Sequence, residues 1–217
     1  MWALFNSGGW MMYPLGLFSI LAFAVFIEKL ISLRNRRVLT PEIIHAIENL
    51  REPSDIPMAI RTCERHDTPL AHIVRAGLEE AESPGGDVRQ AMEDMGRREV
   101  KRLERYLVVL ATAAAASPLM GLLGTVFGMI KVFSVISIEG VGVASRLSGG
   151  IAEALITTAF GLLIGIPALV AYNFFDSRVE NFVIKIEGNV HLLLKRVAMM
   201  RNRSPAEIRE ISDATQK

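Results

Sequence analysis

Three long runs in this chain are almost free of charge, and they constrain the fold more than any single motif does. Residues 1–27 and 106–130 carry no Asp, Glu, Lys or Arg, and residues 147–175 carry one, Glu153. A membrane span needs roughly 20 apolar residues to cross a hydrocarbon core of about 30 Å. Each run is long enough. The overall apolar content of 51% would not say this alone, because soluble domains come close to it. Its concentration in three blocks does. The expected fold class is therefore all-α, an integral membrane protein with three transmembrane helices and long helical cytoplasmic extensions.

The pattern divides the chain into six segments. Residues 1–33 hold a short interfacial segment and the first span. In this segment Trp2 and Trp10 suit the headgroup layer, and Gly8-Gly9 breaks the run. The first span reads as retained: it has no basic residues ahead of it, and Glu28-Lys29 follow in place of a small-residue cleavage site. Residues 34–105 form a polar helical region with helices expected in PEIIHAIENL, IPMAIRTCERH and PLAHIVRAGLEEAE, where apolar residues recur every three or four positions. Pro53, Pro57, Pro69 and the Ser83-Pro84-Gly85-Gly86 turn punctuate it. A further helix starts at Asp87 and is expected to run unbroken into the second span, residues 106–136. A loop at 137–150 leads to the third span, 151–175. The remaining residues, 176–217, form a helix that continues past the membrane and a tail.

Basic residues orient the spans. Four lie in 34–51, six in 86–105 and three in 176–195, against Arg146 and the boundary residue Lys131 on the other side. The expected topology puts the N-terminus and the 137–150 loop outside, with the 34–105 region and the C-terminus in the cytoplasm.

Several function classes find no support. Lys and Arg total 24 against 23 acids, so no nucleic-acid partner is expected. One cysteine, Cys63, precludes an intrachain disulfide framework. No phosphate loop, HExxH or GxSxG appears, so neither an enzyme nor a bound cofactor is expected. Cys63, His66, Asp67 and His72 lie close in sequence but match no closed zinc spacing. An amphipathic helix accounts for them. His45 and His191 are isolated.

The residues that stand out lie in the spans. An ionisable group within the bilayer reads as functional by default, which singles out Glu153. Its place near the start of a span allows the opposite reading, a helix-end residue made cheap by water and the helix dipole. At roughly 100° per residue, Ala154, Gly161 and Gly165 share one stripe, flanked by Glu153, Thr157 and Thr158. The second span offers Pro118, Gly121, Gly124, Thr125 and Gly128. Gly124 and Gly128 form one GxxxG, and Gly161 and Gly165 another. Such residues let membrane helices approach closely; tight packing is the simpler reading for the glycines. For Thr125 and Thr158, pore lining and packing stand level. Pro118 and Pro167 are expected to kink or loosen their helices.

These stretches resemble a known family. GGWMMYP…LFSI…IEKL resembles the entry helix of the ExbB/TolQ/MotA proton-channel family, ASPLMGLLGTVFGMIKVF its second span, and GGIAEALITTAFGLLIGIPALVAYNFF its third. The length and the three spans resemble ExbB or TolQ more than the longer, four-span MotA. The resemblance implies a homopentamer in a bacterial inner membrane, with small-residue faces packing between subunits. It implies a dimer of a single-span ExbD- or TolR-like partner in the central pore. It also implies that proton-motive force drives that partner to act on a TonB- or TolA-like protein. By motif position, Thr125, Glu153 and Thr158 match the family's polar pore residues, as does Asn173. A passive membrane scaffold is the alternative.

Overall fold

The computed structural model describes residues 8–34, 38–83, 85–139 and 144–202, and its regular structure there is entirely helical. The helices are α1 (Met12–Ser32), α2 (Pro41–Asn49), α3 (Ile56–Glu64), α4 (Pro69–Glu82), α5 (Val88–Glu104), α6 (Leu107–Glu139) and α7 (Ala144–Asn202). They form two compact units. One holds α1, α6 and α7 through Ser177; the other holds α2 to α5 and α7 from Arg178.

By length and composition α1, α6 and α7 can each cross a membrane. The 33 residues of α6 reach about 50 Å at ~1.5 Å per residue, beyond the hydrocarbon core. In α1 the buried side chains are Met12, Leu15, Ala22 and Lys29, a single stripe. Tyr13, Leu17, Ile20, Phe23 and Leu30 are exposed. So much exposed apolar surface would promote aggregation in water and is suited to lipid.

Small residues set how α6 meets α7. A Cβ on Gly121 would lie 3.0 Å from Thr158 Cα, one on Gly128 2.6 Å from Ala154 Cβ, and one on Gly165 2.7 Å from Pro118 Cδ. A Cβ on Gly161 would strike the Ser117 carbonyl at 2.5 Å. Contacts that rise along α7 as they fall along α6 define an antiparallel hairpin with backbones nearly touching. Within one chain, the small residues of the two helices thus pack against each other. Both helices run on through Pro118 and Pro167.

The second unit follows its punctuation. Prolines open α2 and α4 at positions where a missing N–H is harmless. Thr68 caps α4, accepting the Ala71 N–H at 3.4 Å. The core includes Ile43, Ile47, Cys63, Leu70, Ile73, Leu78 and Met92, all buried. Gly77 lets Met92 lie flat on α4, since a Cβ there would meet Met92 Cγ at 2.6 Å. Along α7, Val179, Phe182, Ile186, Leu193 and Val197 are buried at spacings of three, four and seven, one face of a helix.

Two boundaries differ from the sequence expectation. The helix beginning near residue 87 does not run on into the second span: α5 stops at Glu104 and α6 starts at Leu107. Between them Tyr106 has φ of 69°, a left-handed conformation that ends a helix and strains an L-residue by about 1–2 kcal/mol. The Arg105 guanidinium lies 4.6 Å from the Tyr106 ring centroid, a cation–π contact that offsets part of this. The connection between the second and third spans is also shorter than residues 137–150, because α6 extends to Glu139 and α7 begins at Ala144.

Candidate functional site

The polar residues of the first unit gather along the α6–α7 seam and at its end. Near that end Glu153 of α7 faces Lys131 of α6, with Lys131 Nζ donating to Glu153 Oε2 at 2.9 Å. Their side chains are 26% and 65% exposed, so the carboxylate is the sheltered partner. The segment before α1 shelters it. Gly9 has φ of 70° and its backbone presses on Glu153, leaving no room for a Cβ. Glycine is therefore required there twice, for conformation and for space. The Gly8 carbonyl accepts the Thr157 hydroxyl at 2.8 Å. Trp10 meets Phe127 edge to face, with centroids 5.6 Å apart. Together these residues line a half-open chamber of about 240 Å³ beside the ion pair.

Further along the seam, the Thr158 hydroxyl donates to the Gly121 carbonyl across the hairpin at 2.9 Å. The Thr125 hydroxyl turns to its own helix and donates to the Leu122 carbonyl at 2.6 Å. Thr157 is buried and Thr158 and Thr125 are half-buried. The structure therefore brings Pro118, Gly121, Gly124, Gly128, Thr157, Thr158, Gly161 and Gly165 onto one seam with Glu153 at its end. Asn173 is exposed.

Three features of the site escape sequence reasoning. Lys131 reads as a span-boundary residue and not as the partner of Glu153. A signal for the pairing exists, since Lys131 is the one base of the second span and the two residues flank the same turn at similar depth. The contact of Gly8 and Gly9 with α7 bridges some 149 residues and has no local signal. Ser117, whose side-chain oxygen is buried and has no hydrogen-bond partner among the described residues, carries none either.

Among the described residues, the Cys63–His72 stretch brings no three His, Cys, Asp or Glu side chains together as metal ligands would be. Cys63 is buried in the α3 face, and burial pushes its thiol up to about 11. His72 instead sits between two carboxylates, with Nδ1 2.9 Å from Glu99 and Nε2 3.1 Å from Asp67, clipping the start of α4 to α5.

Comparison with known proteins gives the chain its family. Residues 65–188 match the profile of the MotA/TolQ/ExbB proton channel family. The chain is 31% identical over 185 residues to an ExbB homologue of biopolymer transport from Methanothermobacter thermautotrophicus, covering 85% of this chain and 66% of that one. It is 38% identical over 128 residues to the Tol-Pal system protein TolQ of Pseudomonas aeruginosa, covering 54% and 55%. It is 31% identical over 196 residues to an ExbB-like biopolymer transport protein of Synechocystis, covering 88% and 93%. The matches thus span just under two thirds of the first relative, about half of the second and nearly all of the third. With more than half its length inside the family profile and three apolar helices of spanning length, the chain belongs to the MotA/TolQ/ExbB proton channel family.

Proposed function

We propose that this chain is the ring-forming subunit of an ExbB–ExbD or TolQ–TolR type complex in a bacterial inner membrane. Five copies surround two copies of a single-span partner, and proton-motive force moves that partner against a TonB- or TolA-like protein. The N-terminus is periplasmic and the C-terminus cytoplasmic. No covalent step is catalysed by this chain.

The observation that carries the reading is Glu153. It is the one acid in the third span, it is sheltered beside a chamber, and it lies in the half of the hairpin toward the α6–α7 turn, the side from which protons enter in this topology. A carboxylate there exchanges protons with water and passes them toward the partner helix, with Thr125 and Thr158 as the next polar points along the pore. A passive scaffold explains the glycine seam and hydroxyls bonded within the chain, but has no use for a sheltered carboxylate.

The test is proton uptake into liposomes by this chain purified with its single-span partner. Glu153→Gln should assemble as five copies by native mass spectrometry, bind the partner and lose uptake; Glu153→Asp should keep part of it. Wild-type uptake by Glu153→Gln would return Glu153 to a helix-end residue and favour the scaffold.

A further inference from the structure

The ion pair bears on which cation the Glu153 site accepts. Glu153 Oε2 and Lys131 Nζ are 2.9 Å apart, the spacing of a charge-assisted hydrogen bond. The other carboxylate oxygen lies against the Gly9 backbone. Among the described residues lining the chamber, Glu153 and Lys131 are the only charged ones. The neighbouring hydroxyl spends its proton within the chain, since Thr157 Oγ1 lies 2.8 Å from both the Gly8 and the Glu153 carbonyls. A hard metal cation leaves water only for several oxygen ligands. Here its one charged ligand, the Glu153 carboxylate, already has an ammonium on it.

We propose that Lys131 sets the ion specificity of the Glu153 site: its ammonium fills the carboxylate's cation position, so that a proton can replace it and a sodium ion cannot. The inference rests on Glu153 carrying protons, as proposed above. In the exchange, hydronium gives a proton to Oε2 and leaves as water. An O–H bond forms, the hydrogen bond from Lys131 breaks, and the still-charged ammonium swings into solvent on its exposed four-carbon stem. When Glu153 passes the proton on, the ammonium returns. A sodium ion would make the same exchange of one monovalent cation for another, but without a covalent O–H bond to offset the lost contact with the ammonium and the loss of much of its hydration shell.

Lys131 is a positioning residue, and its removal should be read in the ion dependence of transport. Proton uptake is measured in liposomes holding the full chain and its single-span partner, in sodium chloride and in choline chloride. The wild type should be indifferent to the salt. Lys131→Met should assemble and take up protons in choline, and sodium should slow that uptake several-fold. Lys131→Arg should restore indifference to sodium, because a guanidinium also fills the position. An assembled Lys131→Met with equal uptake in both salts overturns the inference and leaves the ion pair without a part in ion choice. One that takes up no protons in either salt overturns it too, by placing Lys131 in the path itself. Glu153→Gln separates the two claims. If it conducts, the role of Glu153 fails; if it is silent while Lys131→Met matches the wild type, only the specificity of Lys131 fails.

Discussion

The hydroxyl of Thr158 in α7 donates to the backbone carbonyl of Gly121 in α6 at 2.9 Å. The bond exists because a glycine at 121 brings the two backbones close enough for a side chain to reach across. Thr158→Val keeps the shape and removes the donor, so the hairpin should lose about 0.5–1.5 kcal/mol. Thr125 bonds only to its own helix, and Thr125→Val should leave stability within about 0.5 kcal/mol of the wild type. Both variants should assemble with reduced proton uptake. Thermal unfolding in detergent alongside uptake separates the roles, and normal uptake in both would make the hydroxyls packing elements alone.

Glycines of the seam and glycines outside it should respond oppositely. Gly161→Leu drives a side chain into the Ser117 carbonyl and should prevent a stable hairpin, seen as loss of assembled complex. A Cβ added at Gly188 would meet nothing within 4 Å, and a helix-interior Gly→Ala exchange there should stabilise by about 0.5–1 kcal/mol. Equal tolerance at both positions would contradict the observed seam.

Topology can be read with the native cysteine left in place. Burial raises the Cys63 thiol from 9.0 to about 11, so it stays protonated and unreactive at neutral pH until the unit unfolds. Because the folded state holds that proton more tightly, the stability it lends is present below pH 9 and falls as pH climbs toward about 11. Ser83 is exposed, so Ser83→Cys supplies a single reactive thiol. An impermeant maleimide should label it only after cells are permeabilised; labelling in intact cells would invert the orientation.

His72 satisfies one oxygen of Glu99, whose side chain is 8% exposed. His72→Ala should therefore destabilise the second unit by about 1–3 kcal/mol, and Glu99→Gln should relieve part of that loss in the double variant. Additive effects in chemical denaturation would show that the two residues are not coupled.

Most of the helices are legible in the sequence for simple reasons. Uncharged runs have one economical explanation, and α2, α3 and α4 begin at or beside prolines 41, 57 and 69. The break at Tyr106 is hidden, since no glycine or proline marks it and a tyrosine side chain does not announce a left-handed backbone. At the site, Glu153 and the glycines are visible one by one, because a charge or a missing side chain stands out in an apolar run. Their partners are not. The pairing of Lys131 with Glu153 depends on the register of two helices, and that of Gly8 with Thr157 on a contact between distant parts of the chain.

In the proposed ring, the seam between α6 and α7 would also decide where the assembly can give. Its smoothest surfaces are used up inside each protomer, leaving Leu122, Val126, Leu163 and Val170, all exposed, among those left to meet neighbours. Bulky side chains keep helix axes toward the wide end of the usual 8–10 Å or so and can shift between rotamers, whereas two backbones in direct contact cannot yield. Each hairpin is then a stiff stave and each boundary a compliant joint. The proposed five-membered ring, built that way, would distort around an occupant of lower symmetry without any stave bending.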